Sequence, residues 1–202
     1  MSDANKSDVN APTKKITMRE IVITAAIGVV FGFLYLGWVQ VWLIFQGIIG
    51  PLAMDIVFGF WFVASVVAMY ALRKPGVALV TAVITTITQV LAGNPAGAIL
   101  LVTGLVQGAG AELPFALTRW RRFSAPVLML SGASAAVFSY LYTWIRFGYG
   151  ELGAGILIAM LVLRVTSGML LGGLLGKFLT ERLHATGALR GLAIDRARKQ
   201  AA

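Results

Sequence analysis

Three ionisable side chains interrupt otherwise apolar stretches of this chain: Asp55, Glu112 and Arg164. In hydrocarbon each costs about 2.5–3.5 kcal/mol unless it is paired or faces water, which makes each a candidate for a site. Spacing adds to this. Arg164, Gly168, Gly172 and Gly176 recur at four-residue steps, as do Gly104, Gly108 and Glu112. Each of these two charges therefore shares a helical face with small residues that permit close backbone approach. The pattern predicts a buried Glu112–Arg164 ion pair, with one or both groups also reaching a bound solute. Asp55 opens its apolar run and reads as a boundary residue, held there at little cost.

Amides and aromatics supply the remaining candidates: Trp38, Trp42 and Gln46, then Gln89 and Asn94, then Gln107, then Tyr140, Tyr142 and Trp144. Any single Trp or Tyr also fits an interfacial aromatic belt. An amide inside an apolar segment, however, must find a hydrogen-bond partner. A mostly apolar cavity with a few convergent polar groups is the usual form of a small-molecule site, and aromatic faces near a carboxylate suit an organic cation. The candidate binding set is Trp38, Trp42, Gln46, Asp55, Gln89, Asn94, Gln107, Glu112, Tyr140, Trp144 and Arg164.

Catalysis finds little to use. The lone histidine, His184, follows the last apolar run, and the chain has no cysteine. A Ser–His dyad within the spans, thiolate chemistry and a metal-ligand cluster are thus not expected, and neither is a resident cofactor. The segment Thr103-Gly104-Leu105-Val106-Gln107-Gly108 resembles a glycine loop but lacks the terminal Lys-Ser or Lys-Thr of a phosphate-binding loop. The economical expectation is a solute-binding subunit, not an enzyme, that takes its energy from partners.

The elements that must position these residues are membrane helices. Hydrophobic residues make up 58% of the 202-residue chain and charged ones 12%, a balance that excludes a soluble domain. Apolar runs at about 20–40, 55–72, 77–92, 96–117, 126–145 and 152–179 predict an all-α bundle of six spans. Lys and Arg concentrate before the first run (Lys6, Lys14, Lys15, Arg19), between the second and third (Arg73, Lys74), between the fourth and fifth (Arg119, Arg121, Arg122) and after the sixth. Such loops stay cytoplasmic, which places both termini inside. The chain divides into a polar tail (1–19), a membrane domain (20–183) and a basic tail (184–202). The net charge of +9 lies mostly in these loops and tails, so lipid headgroups account for it without nucleic acid. Residues 1–15 lack a signal peptide's apolar core, so the first span is expected to be retained.

Lys74-Pro75-Gly76 and Gly93-Asn94-Pro95 mark tight turns. The uncharged stretch 41–51 reads as a loop or partial helix in the outer interface, or as an extension of span two. Span one carries Thr24, Gly28 and Gly32 at four-residue steps, with Ala25 beside them. That stripe serves either internal packing or a separate membrane partner. No internal repeat is visible, which counts against inverted-repeat transporters.

Several stretches, taken in order, resemble the YkoE family: Arg73-Lys74-Pro75-Gly76, Gly93-Asn94-Pro95-Ala96-Gly97, Gln107-Gly108-Ala109-Gly110-Ala111-Glu112, and Arg164 with Ser167-Gly168 through Gly176-Lys177. The likeness runs from about Arg19 to Gly187. These are substrate-binding S components of energy-coupling factor (ECF) transporters, associated with thiamine or its hydroxymethylpyrimidine precursor. The resemblance implies a six-helix S component in a bacterial cytoplasmic membrane, served by a transmembrane coupling protein and two ATPases. It also implies a small-residue face on the first helix for the coupling protein, a role that Thr24, Ala25, Gly28 and Gly32 match in kind. Acidic residues common in the family's third span are replaced here by Ala82 and Gln89. An S component for another nutrient, or a membrane scaffold that binds no solute, are the alternatives.

Overall fold

The computed structural model describes residues 16–50 and 52–201, and all its regular structure is helical. The tail lysines Lys6, Lys14 and Lys15 lie outside the described residues. In chain order the helices are α1 (Met18–Ile49), α2 (Leu52–Leu72), α3 (Val77–Leu91), α4 (Gly97–Leu117), α5 (Ala125–Phe147), α6 (Ala154–Ala185) and α7 (Ala193–Ala201). Five of them, α1, α2, α4, α5 and α6, are long and apolar enough to cross a membrane. Helix α3 is apolar but has only 15 residues, about 22 Å against a hydrocarbon core of about 30 Å.

Helix α1 starts at a capping box. The Glu20 amide donates to Thr17 Oγ1 at 3.3 Å, and the Thr17 amide donates back to the Glu20 carboxylate at 2.7 Å. The helix then runs 32 residues to Gly50, which ends it at φ 68°. Stretch 41–49 is therefore a continuation of α1, neither a separate interfacial loop nor part of span two. Its residues are apolar and uncharged, and the first strong breaker is Gly50-Pro51. At about 48 Å, α1 exceeds the bilayer core and must tilt or project from it.

Helix α2 is the axis of the bundle. Every residue from Val63 to Leu72 is buried, and α2 packs against each of the other six helices. Its regular α geometry gives way to a 3₁₀ segment at Phe58–Phe62, where neighbours accept from backbone amides on either side. The Gly59 amide donates to Ser167 Oγ and the Ala64 amide to Tyr35 Oη, each at 2.9 Å. In lipid an unmet amide is expensive, so these two hydroxyls make the irregularity tolerable. Helix α6 answers with a π-helical stretch at Gly168–Leu175, packed on α2 and α5.

Two small-residue stripes grip α3 from opposite sides. On α1, a Cβ at Gly28 would lie 2.5 Å from Ile84 Cγ2, and one at Gly32 would lie 2.6 Å from Thr88 Cβ. On α4, a Cβ at Gly104 would lie 2.5 Å from Thr86 Oγ1, and one at Gly108 would lie 2.8 Å from Ala82 Cβ. The α1 stripe thus packs closely on α3, as the internal-packing alternative expects. Thr24, Gly28 and Gly32 are buried, and Ala25 is half-buried. The reason is length: a short α3 gains its stability from close contact on two sides.

The basic tail is folded onto the bundle. Leu189, Leu192 and Ile194 join the buried core. Arg19 Nη2 donates to the Arg190 carbonyl at 2.7 Å, and Asp195 accepts from the Gly191 amide at 2.9 Å while meeting His184 and Lys199 at 3.1 Å. The Gly191 amide, then Lys199 and His184, hold the Asp195 carboxyl well below the usual carboxylate range. Its contribution to docking is thus present above the unfolded value, about pH 4, and is lost only as pH falls through the lowered one.

Gly28→Leu is expected to lower stability by about 1–3 kcal/mol or more through overpacking against α3. Ala26→Leu, two residues away on the exposed face, should change it little. Thermal unfolding of the two variants in detergent compares them, and equal midpoints would contradict the α1–α3 contact.

Candidate functional site

A cavity of about 400 Å³ lies among α1, α2, α3, α4, α5 and the turn after α3. Its α3 wall is set by helical period. Ala82, Thr85, Thr86 and Gln89 fall on one face at steps of three and four and all line it. Thr85 and Thr86 turn their hydroxyl hydrogens back onto the Ala82 carbonyl at 2.7 and 3.1 Å, which leaves oxygen lone pairs for other donors. Helix α4 contributes Thr103, Gly104 and Gln107 one turn apart.

The amides hold one another in place. Asn94 Nδ2 donates to Gln89 Oε1 at 3.0 Å, Gln89 Nε2 donates to the Thr85 carbonyl at 3.3 Å, and the Ala96 amide donates to Asn94 Oδ1 at 2.9 Å. Gln107 Nε2 reaches Ser139 Oγ at 3.3 Å. Opposite them stand aromatic rings. Trp42 and Trp61 meet edge to face, their centroids 6.1 Å apart, and Phe58, Tyr142 and Phe147 complete that side. The Trp42 indole nitrogen and the Tyr142 hydroxyl are buried and have no hydrogen-bond partner among the described residues.

Behind this wall runs a charged network. Arg164 Nε donates to Asp55 Oδ1 at 2.5 Å, and neither side chain has any solvent exposure. Arg164 Nη1 donates to Thr143 Oγ1 at 2.7 Å, Thr143 donates to the Tyr140 carbonyl at 3.0 Å, and Tyr140 Oη donates to the Leu157 carbonyl at 3.0 Å. The guanidinium also lies over the Phe58 and Tyr140 rings, 5.2 and 5.6 Å from their centroids. Thr143 and Phe58 both line the cavity. The ion pair therefore sits one side chain behind the cavity surface, and Thr143 is the connection.

Chemically the arrangement can enclose a small, flat organic molecule. It offers stacking faces, amides that both donate and accept, several hydroxyls and one cation, Arg146. Among the described residues no group of three or more His, Cys, Asp or Glu is arranged to hold a metal ion.

Comparison with known proteins agrees with this architecture. Residues 19–138 match the family described as the permease component of an ABC-type cobalt transport system. A protein of Bacillus subtilis (strain 168), provisionally named HMP/thiamine permease protein YkoE, is 43% identical over 187 residues, covering 93% of this chain and 94% of the relative. A crystal structure of an S-component of an ECF transporter superposes with a TM-score of 0.89 at 42% identity, over 92% of this chain and 94% of that one. The chain belongs to the YkoE family of ECF S components. It is a substrate-binding membrane subunit, not a pump complete in itself.

Within this S component the sequence-predicted residues fall into distinct places. Trp42, Gln89, Asn94 and Gln107 come together in the cavity wall. Asp55, Tyr140 and Arg164 form the network behind it. Trp38 stacks on Phe60 with centroids 4.2 Å apart and is not in the wall. Gln46 and Trp144 are exposed and also lie off the wall.

Two expectations are corrected here. The partner of Arg164 is Asp55, not Glu112, so Asp55, in the first turn of α2, is fully buried in an ion pair and not held there at little cost. Glu112 instead caps α3 from outside. The Gly76 and Ala78 amides donate to its two carboxylate oxygens at 2.8 and 2.9 Å, and Trp120 Nε1 donates at 2.6 Å. The first turn of a helix has unmet amides and a partial positive charge, and a carboxylate satisfies both. On the same turn Lys74 meets Glu20 at 2.6 Å.

Sequence reasoning missed Thr85, Thr86, Thr143, Trp61 and Arg146. The threonines had a legible signal, a polar stripe at helical spacing within an apolar segment. Arg146 had none, because it reads as an ordinary end-of-span cation.

Asp55→Asn and Arg164→Gln are each expected to destabilise the protein by about 3–5 kcal/mol, because each leaves a buried charge unpaired. The double variant should lose less than the sum. Glu112→Gln and Arg164→Gln, with no shared partner, should be additive. Denaturation in detergent reads both cycles, and coupling in the second with additivity in the first would reverse the assignment.

Proposed function

We propose that this S component captures thiamine or its hydroxymethylpyrimidine precursor from the outer side of a bacterial cytoplasmic membrane. It performs no chemistry on the cargo. The observation that carries this is the cavity wall: amides and hydroxyls from α3 and α4 face indole and phenyl rings from α1 and α2. An aminopyrimidine has ring acceptors and an exocyclic donor, which suit Gln89, Asn94, Gln107 and the threonine oxygens. Its flat face suits Trp42 and Trp61, as does a thiazolium ring. The name of the Bacillus subtilis relative points to the same cargo.

The cobalt in the family description fits the wall poorly. Its described lining residues include no imidazole and no carboxylate, whereas a divalent first-row ion favours such ligands.

The supporting arrangement is six spans with both termini cytoplasmic, in which α3 is the sixth and shortest crossing. Lys and Arg flank the alternate connections on one side, as such an orientation requires. Delivery then depends on an ECF transmembrane coupling protein and two ATPase subunits. An S component for a different nutrient, or a scaffold without cargo, would lack the binding response below.

Titration of the purified protein with thiamine and with hydroxymethylpyrimidine should give saturable heat and quench Trp42 and Trp61 emission. Gln89→Ala is expected to weaken binding about ten- to hundredfold, from loss of one buried hydrogen-bonding group. No response to either compound would remove the assignment.

A further inference from the structure

We propose that the α5 side of this cavity is a subsite for a phosphate monoester, so that the cargo includes the monophosphorylated form of the vitamin or precursor. The inference rests on the cavity being the cargo site, and it concerns the end of the ligand that the amides do not read.

The charge of the wall is one-sided. Arg146 lines the cavity and has no carboxylate partner among the described residues. It lies one turn beyond Tyr142 on α5, with its guanidinium 6.0 Å from the Tyr142 ring centroid and 4.9 Å from that of Phe147. Arg164 stands directly behind Thr143, but its charge is matched by Asp55. The wall therefore has one uncompensated positive charge and, among its described residues, no negative one.

Two unmet donors accompany that charge. The Tyr142 hydroxyl and the Trp42 indole N–H are buried without a partner. Buried donors are almost always met by an acceptor. Arg146 is exposed as well as lining the cavity; a neutral aminopyrimidine offers it no opposite charge, and a bare thiazolium adds repulsion. A phosphate monoester carries about −1.5 to −2 charge at pH 7 and three strong acceptor oxygens. It would satisfy the Arg146 guanidinium and the Tyr142 hydroxyl together, and on a thiazolium it turns the cargo's net charge from positive to about −0.5 to −1.

The test compares four ligands, thiamine, thiamine monophosphate, hydroxymethylpyrimidine and its phosphate, by calorimetry. It uses purified full-length protein in phosphate-free buffer, once in detergent stripped of phospholipid and once in nanodiscs containing anionic lipid. In the wild type each ester should bind at least as tightly as its alcohol. Arg146→Gln should lower the ester-to-alcohol affinity ratio at least tenfold, and Tyr142→Phe should lower it less.

An unchanged ratio in Arg146→Gln, or esters that do not compete with the alcohols, would overturn the subsite. So would an Arg146→Gln effect confined to nanodiscs, because the arginine would then serve a lipid headgroup. If neither alcohols nor esters bind the wild type, the cargo reading itself fails, an outcome distinct from all of these.

Discussion

A carboxylate and a guanidinium held entirely out of solvent are stable only because each is the other's counter-ion, and Asp55 and Arg164 stand in that relation. Removing either from water costs several kcal/mol, which close contact and further hydrogen bonds must offset. Arg164 meets part of that demand with Asp55, Thr143 and two aromatic faces, while its Nη2 and Asp55 Oδ2 have no hydrogen-bond partner among the described residues. The pair joins α2 to α6, and through Thr143 it reaches α5. The irregular turns of α2 and α6 lie beside it in sequence, where Gly59 and Ser167 bring the two backbones together. The cavity's back wall is thus built on an electrostatic contact rather than on apolar packing alone.

Helix α3 presents the opposite problem. It carries much of the polar wall yet is the shortest of the apolar helices, so its own hydrogen-bond ladder cannot place it. Glycines on α1 and α4 bring it within backbone reach from two sides, and Glu112 closes its first turn. The polar cavity wall on α3 and the structural charge at its first turn are therefore physically separate. Glu112 belongs to the second of these, despite its place in an apolar helix.

This separation agrees with the role of an S component, which binds and yields its cargo without making or breaking bonds. The wall residues that face the cavity are amides, hydroxyls, rings and a single arginine. They set the shape and polarity of the cavity. The tail residues Leu189, Leu192 and Ile194 seal the base of the bundle with apolar contact, so the basic charge of that region lies over a packed surface.

The apolar runs and the turn chemistry at Lys74-Pro75-Gly76 and Gly93-Asn94-Pro95 were legible from the chain itself, but not the end of the first helix, which runs on to Ile49. Lipid rewards long uncharged segments regardless of what they later touch. The identity of the buried ionisable groups was legible for the same reason, since a charge among apolar neighbours is visible in one dimension. Trp42, Gln89, Asn94 and Gln107 were found because an amide or indole in such a segment needs a partner. Pairing was another matter. Helical periodicity pointed Arg164 to Glu112, and only the packing of α2 against α6 gave it to Asp55. The Thr24–Gly28–Gly32 stripe was ambiguous, because small residues permit close approach without naming the helix that approaches. Arg146 became part of a cavity only when α5 was set against α3 and α4. Local sequence determines which groups must be satisfied, and the tertiary arrangement determines by whom, because hydrogen bonds and ion pairs depend on distances between segments remote along the chain.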